Sequence, residues 1–344
     1  MSSNCIGVRP DDRMNSQEKV SIIICTRDRA ESLRETLAAI GRCEVPADLR
    51  VELLVIDNGS ADATRTVTEG AEVGEMRLRY VREERAGLDY ARNRGLAEAA
   101  GTILLFVDDD VRPAAGWIEG MCRPILDGEA DAVQGGIAVA AHLIRPWQKG
   151  VLRQFVASTP STPSTSGTPG TGRRVMGENE GFTGANMAVH RRVLEKVRRF
   201  DVELDSGNLR SGEDTLFSLQ VQHAGFRRLA VWDACVEHHF SADRMTEASL
   251  IKDGWERGRS SAYFRYHWEH ETFHLAGARL WWVRLKRFCR EAIMRRDGDA
   301  EAEPRPWRIG YAKEIGFWEQ YRKECRRLHN YEKFGLVKVG GVLA

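Results

Sequence analysis

Long apolar runs are missing from this 344-residue sequence: the stretch Ile103 to Val107 falls far short of the ~20 residues that cross a bilayer. Met1 to Val20 is polar and has no signal-peptide core, so a cytoplasmic setting is expected. The seven cysteines come no closer together than Cys25 and Cys43, which excludes a zinc knuckle and a disulfide framework. There is no excess of charge either. The 51 Lys and Arg against 50 Asp and Glu leave a net +1, so no general field draws the chain onto nucleic acid. Two phosphate loops are also lacking. The turn after the first apolar run reads Cys25-Thr-Arg-Asp-Arg29 instead of G-x-G-x-x-G, and no G-x-x-x-x-G-K-[ST] occurs, which excludes a dinucleotide dehydrogenase and a P-loop NTPase.

What is present is a globular composition, 42% hydrophobic and 29% charged, at a length that suits two domains or one large α/β domain with an appendage. Val20 to Thr26 is short and β-branched and reads as a buried parallel strand; Leu33, Leu37 and Ile40 then recur at helical spacing. A strand at Val51 to Ile56, a helix from about Ala61, a strand at Leu78 to Val81, a helix over Ala91 to Ala99 and a strand at Thr102 to Val107 continue the alternation. An open, mostly parallel sheet with helices on both faces is the expectation. Residues 157–172, rich in Ser, Thr and Pro, read as a mobile loop, either a tolerated insertion or a lid. Beyond them a strand is expected over Phe182 to Val189 and a helix over Thr215 to Ala224, entered through Gly212-Glu-Asp214. The last ~100 residues lose the alternation and read as helical.

In an open α/β sheet ligands gather beyond the carboxyl ends of the strands. Three polar closures fall there: Thr26-Arg27-Asp28, Asp57-Asn58-Gly59-Ser60 and Asp108-Asp109-Asp110. Asp57 can accept hydrogen bonds from a ribose or a base, and Arg27 can offset phosphate charge. Taken singly, each closure serves equally well as a helix cap or turn. Three adjacent carboxylates repel one another unless a cation or strong donors sit among them. In an extended segment Asp108 and Asp110 face the same side and can approach one divalent ion; the alternative is a solvated acidic turn ended by Pro113.

Six ordered stretches carry a wider resemblance: Val20 to Arg29, Val55 to Asp62, Ala91-Arg-Asn-Arg-Gly95, Phe106 to Asp110, Gly184-Ala-Asn-Met187 and Gly212-Glu-Asp214. Together, over roughly residues 18 to 262, the pattern resembles family 2 of the GT-A glycosyltransferases. That resemblance implies a GT-A catalytic domain over 19–245, after a polar leader at 1–18 and before a helical region at 246–344. It implies an inverting transferase that takes a sugar from a nucleotide diphosphate donor, UDP-linked in the leading expectation. The acceptor would be a hydroxyl on a glycan or lipid-linked glycan.

The resemblance also assigns roles. Thr26, Arg27, Asp57, Arg94, Asp108 and Asp109 fall on the donor side, and Gly184, Ala185, Asn186 and Glu213 line the sugar and acceptor pocket. Asp110 and Asp108, with His238, would hold Mg²⁺ or Mn²⁺, while His238 also fits a merely packed histidine. Asp214 matches the general base, and a carboxylate is chemically suited to take the proton of an acceptor hydroxyl. Trp255, Arg257 and Arg259 are expected as a cationic flap over the donor phosphates. Two rival readings fit parts of the pattern. One is a metal-dependent nucleotidyltransferase or nucleotide-sugar hydrolase, of which the nucleotidyltransferase lacks its Gly-rich, Arg-containing signature after the first strand; the other, a non-catalytic carbohydrate-binding module, leaves Asp110 and Asp214 without purpose.

One segment stands apart. From Arg279 to Arg296 the basic residues Arg279, Arg284, Lys286, Arg287, Arg290, Arg295 and Arg296 face only Glu291, with Trp282, Leu285, Cys289 and Ile293 on one helical stripe. Such a helix either packs its stripe on the protein or lies peripherally on an anionic membrane.

Overall fold

Apolar β-branched residues in unbroken runs form strands that are buried on both faces. Strand β1 (Glu18–Thr26), helix α1 (Ala30–Ile40), β2 (Leu49–Asp57), α2 (Thr64–Glu69), β3 (Arg77–Arg82), α3 (Leu88–Glu98) and β4 (Ile103–Asp108) follow in turn. The structure, a computed structural model, describes residues 18–148, 172–178, 180–205, 209, 211–294 and 303–339. The expected leader up to residue 17, the Ser/Thr/Pro segment up to residue 171, and Arg295 and Arg296 lie outside the described residues.

These four strands are parallel in the order β3-β2-β1-β4, with Ile22 beside Leu53 and Thr26 beside Asp57. Alternate residues go to opposite layers. Ile22, Ile24, Leu53 and Leu105 pack with Leu33 and Leu37 of α1, whereas Ile23, Leu54, Leu104 and Phe106 pack with Ala91 and Leu96 of α3. Each such fully buried side chain contributes roughly 1.5–3 kcal/mol.

The second half of the sheet comprises β5 (Val111–Pro113), β6 (Ala132–Val139), β7 (Arg173–Val175), β8 (Asn186–His190) and β9 (Arg228–His238), with α4 (Trp117–Leu126) and α5 (Glu213–His223) between them. The order continues β4-β8-β6-β9-β5, with β7 also on β9. β6 and β9 are parallel to each other, while β8 is antiparallel to both β4 and β6, and β5 and β7 are antiparallel to β9. The sheet is thus mixed and mostly parallel. β1, β2, β4, β6 and β9 all end at the same edge, and they end in Thr26, Asp57, Asp108, Val139 and His238.

Two boundaries differ from expectation. The strand expected from Phe182 starts at Asn186, because residues before it form a turn in which the Thr183 amide donates to Gln134 (2.7 Å) and the Gly184 amide to Asp214 (2.9 Å). The helix expected from Ala61 starts at Thr64, because Asp62, accepting from the Thr64 amide (3.0 Å) and the Ala30 amide (2.8 Å), holds the residues before it in a turn.

Beyond the sheet come α6 (Glu247–His267), α7 (Ala276–Met294) and α8 (Pro306–Glu324), the expected helical region. α6 and α8 run side by side in the same direction and approach unusually closely. A Cβ on Gly258 would stand 1.9 Å from the Lys313 carbonyl oxygen, so only glycine permits this crossing. α7 packs on α8 through Leu280 and Val283. The stripe predicted from Trp282 to Ile293 is not the packed one: Trp282, Cys289 and Ile293 are exposed.

Candidate functional site

The site begins with a turn. After β1 the chain reverses through Asp28, whose φ of +51° is left-handed, and its carboxylate accepts from the Ala61 amide at 2.7 Å. The Ser60 hydroxyl accepts from the Asp28 amide at 2.9 Å, so the ends of β1 and β2 are laced together. Beside them lies a cleft of about 520 Å³, a size suited to a small organic ligand. Thr26, Arg27, Asn58, Asp108, Asp109 and Asp205 are among its lining residues.

At the floor β4 ends at Asp108, and Asp109 and Asp110 form a turn rather than the extended segment expected. Asp109 turns inward, accepting from the Thr26 hydroxyl (2.6 Å) and from Arg29 (2.7 Å), and burial pushes its carboxyl up to about 7 against the pull of Arg29. Asp110 shares the Arg29 guanidinium with Asp109, accepting from its other terminal nitrogen at 2.7 Å. β5 pairs Val111 with His238, and the His239 amide donates to the Asp110 carbonyl at 2.7 Å. This pairing brings the His238 Nε2 atom to 3.0 Å from Asp110 Oδ1. One ligand atom from each of Asp108, Asp110 and His238 lies within 4.8 Å of the others.

Two carboxylates and an imidazole suit a divalent cation such as Mg²⁺ or Mn²⁺. The electrostatics agree with that fit. Burial, then the neighbouring Asp110, raises the Asp108 carboxyl. Burial also opposes ionisation of Asp110, but His238 and Arg29 outweigh it and hold that carboxyl well below the usual range.

The second carboxylate centre lies at the start of α5. Asp214 accepts from the amides of Gly184 (2.9 Å) and Thr215 (2.7 Å). Burial, reinforced by the adjacent Glu213, nevertheless pushes its carboxyl up to about 6. Between the two centres stands Arg92, 4% exposed and paired with Glu213. Its charge acts on both Asp108 and Asp214. A Cβ on Gly184 would lie 2.1 Å from an Arg92 terminal nitrogen, so glycine clears the path for that side chain.

Several expected site residues are placed elsewhere. Asp57 is 1% exposed behind the cleft, accepting from the Ser60 amide (2.8 Å) and the Tyr80 hydroxyl (2.6 Å); its neighbour Asn58 reaches the cleft instead. Arg94 points away and pairs with Glu98 at 2.9 Å, since α3 carries it off the face that holds Asp89 and Arg92. Asn186 is fully buried. Its carboxamide accepts from Trp117 Nε1 (2.9 Å) and donates to the carbonyls of Gly136 (2.8 Å) and Ala234 (2.9 Å), which locks it inside the sheet. Ala185 is a core residue, and Glu213 is occupied by Arg92.

Trp255 donates to Glu319 (2.8 Å) and Arg259 to Gln320 (3.1 Å) on α8, while Arg257 pairs with Asp253 (2.7 Å) within α6, so the residues of the expected flap are engaged within the helical region. Arg92 is the residue to which the sequence pattern assigned no role, while Asn58, named in a strand-end closure, lines the cleft with its carboxamide held by the Arg85 carbonyl (2.7 Å) and the Gly87 amide (2.8 Å). The signal for Arg92 was the i, i+3 pair Asp89 and Arg92, which shares a helical face with the apolar Ala91–Leu96 side.

Replacing Arg92 by Met is expected to destabilise the fold by roughly 3–5 kcal/mol, because buried Glu213 and Asp89 lose their cation. Urea unfolding measures it. The double variant Arg92→Met with Glu213→Leu should recover much of the loss, and no recovery would mean that the ion pair is not the cause.

The fold that this geometry defines is GT-A. The structure superposes on the mannosyltransferase PcManGT from Pyrobaculum calidifontis, described in complex with GDP-Man and Mn2+, with a TM-score of 0.50 and 20% identity. That superposition covers 72% of this chain and 64% of the other. The model for glycosyl transferase family 2 matches residues 21–198, and the chain belongs to that family. Among curated relatives, glycosyltransferase AglE of Haloferax volcanii is 32% identical over 119 residues, covering 34% of this chain and 39% of the relative. The succinoglycan biosynthesis protein ExoM of Rhizobium meliloti is 32% identical over 130 residues, covering 37% and 41%. The match therefore spans about two fifths of either relative.

Proposed function

We propose that the protein transfers a sugar from a nucleoside diphosphate donor to an acceptor hydroxyl on a glycan or lipid-linked glycan, with inversion at the anomeric carbon. The observation that carries this reading is the convergence of Asp108, Asp110 and His238 within 4.8 Å at the strand-end edge beside the cleft. Family membership and the fold support it, and the relative solved with GDP-Man and Mn2+ supplies the donor and metal classes. The catalytic unit in this proposal is residues 19–245, with 246–344 as a helical region behind it.

Thr26, Arg27 and Asn58 line the part of the cleft that would receive the nucleotide, and Arg27, half-exposed and held among the described residues only by a 3.6 Å contact with the exposed Asp28, would turn to meet phosphate charge. Asp108, Asp110 and His238 would hold Mg²⁺ or Mn²⁺, which when bound neutralises charge on the departing diphosphate. Asp214 takes the acceptor proton through its carboxylate. Its position is set by the Gly184 and Thr215 amides, and Arg92 keeps the negative charges of both centres compatible. Mass spectrometry after incubation with UDP- and GDP-sugars, Mn²⁺ and candidate acceptors tests the reading; no transferred sugar from any donor would sink it.

The raised carboxyl of Asp214 predicts a pH profile. A base must be ionised to act, so kcat at saturating donor should rise with pH through about 6 and level off above it. At pH 5 turnover should be about a tenth of the plateau. A flat profile between pH 5 and 7 would count against Asp214.

A further inference from the structure

α7 packs on α8 through Leu280 and Val283, beside Phe317, Trp318 and Tyr321. With that face covered, the helix turns Trp281, Trp282, Phe288 and Ile293 outward, at 62%, 52%, 69% and 63% exposure. Positions 281 and 288 stack two turns apart, and 282, 289 and 293 form the adjoining stripe, so the four side chains make one apolar surface. Surfaces of this kind on a folded protein are contact surfaces.

Cations flank it. Lys286 lies over the Trp282 ring at 5.4 Å, Arg290 over Trp307 at 5.2 Å and Arg279 over Trp318 at 5.2 Å. None of these three pairs with a carboxylate among the described residues, whereas Arg284 pairs with Glu319 and Arg287 with Glu291. The charge is local, since the whole chain carries only +1.

We propose that the outward face of α7 seats the protein on an anionic bilayer surface. Trp281, Trp282 and Phe288 would enter the boundary between headgroups and acyl chains, where amphipathic aromatic rings are favoured. Lys286, Arg290 and Arg279 would lie among the anionic headgroups, their stems on apolar surface and their charges still hydrated. A dry protein interface fits this chemistry less well, because it would take out of water three cations that have aromatic rings but no carboxylate against them among the described residues. This goes beyond sugar transfer and does not depend on it.

Flotation of the full chain with vesicles tests the proposal without any donor or acceptor. The chain should float with phosphatidylcholine vesicles that contain phosphatidylglycerol at low salt, and much less with phosphatidylcholine alone or at high salt. Each surface cation strengthens such binding roughly fivefold, so changing Arg279, Lys286 and Arg290 together to Gln should weaken it roughly a hundredfold. Trp281→Ser with Phe288→Ser should also weaken it and, both residues being exposed, leave the thermal melt unchanged. Failure to float at low salt, equal binding to neutral and anionic vesicles, or self-association through this face with no lipid binding would each overturn it.

Discussion

Asp214→Asn is expected to lower kcat by roughly 10²–10⁴-fold while donor affinity stays near that of the parent. The physical argument rests on what the amide cannot do. Asparagine matches the carboxylate in shape but takes no proton at neutral pH, so the acceptor hydroxyl must attack unassisted. The two backbone donors sharpen the test: Asp214 accepts from Gly184 on one oxygen and from Thr215 on the other. An amide presents NH₂ to one of them, at a cost of about 1–3 kcal/mol. The variant should therefore melt somewhat lower yet remain folded at the assay temperature. Steady-state kinetics with calorimetric donor titration distinguish the outcomes. Near-parent turnover, or donor affinity that collapses along with it, would remove Asp214 from the role of base.

The second large effect is expected at the other carboxylate centre. Asp110 is 1% exposed, with one oxygen 3.0 Å from His238 Nε2 and the other accepting from Arg29 at 2.7 Å, so alanine there would remove volume as well as charge from a buried position. Asp110→Asn keeps the volume and removes the charge. Outer-sphere substitutions at metal sites cost 10–100-fold in affinity, and removing a ligand itself should cost at least about 100-fold. Calorimetry with UDP or GDP, with Mn²⁺ or with chelator, reads this directly. Chelator should reduce the parent to the level of the variant, and Mn²⁺ should tighten nucleotide binding only in the parent. A variant that gains as much from Mn²⁺ as the parent does would overturn the metal assignment.

Much of the fold was legible because it rests on local pattern. Ile22, Ile23 and Ile24 lie in an unbroken apolar run, and only a strand covered on both faces accommodates that; the structure sends alternate members to the two helical layers. The period of two did not extend to Asp108 and Asp110: β4 ends at Asp108, and a turn over Asp109 and Asp110 brings the second carboxylate near the first. Less was legible where side-chain roles depend on partners distant in the chain. Asp57 read as a ligand contact because it closes a strand, and Asn186 because the family resemblance puts it in the sugar pocket, yet both are spent on internal hydrogen bonds. Arg94 and Arg92 differ by two positions in one motif, and only the rotation of α3 against the sheet puts Arg92 inside and leaves Arg94 half-buried beside Glu98.

The sequence alone determined the strand-helix alternation, the polar closures at the strand ends and the helical character of the last third, since each is written in neighbouring residues at a spacing of two or three to four. Tertiary structure decided which of those polar residues meet. His238 reaches Asp110 through the pairing of β5 with β9, Asp214 is held by Gly184, Arg92 threads between the two centres, and α7 exposes its tryptophans because α8 takes the neighbouring stripe. The reason is physical: a hydrogen bond or ion pair across the sheet depends on register and helix rotation, and the packing of the whole core sets both.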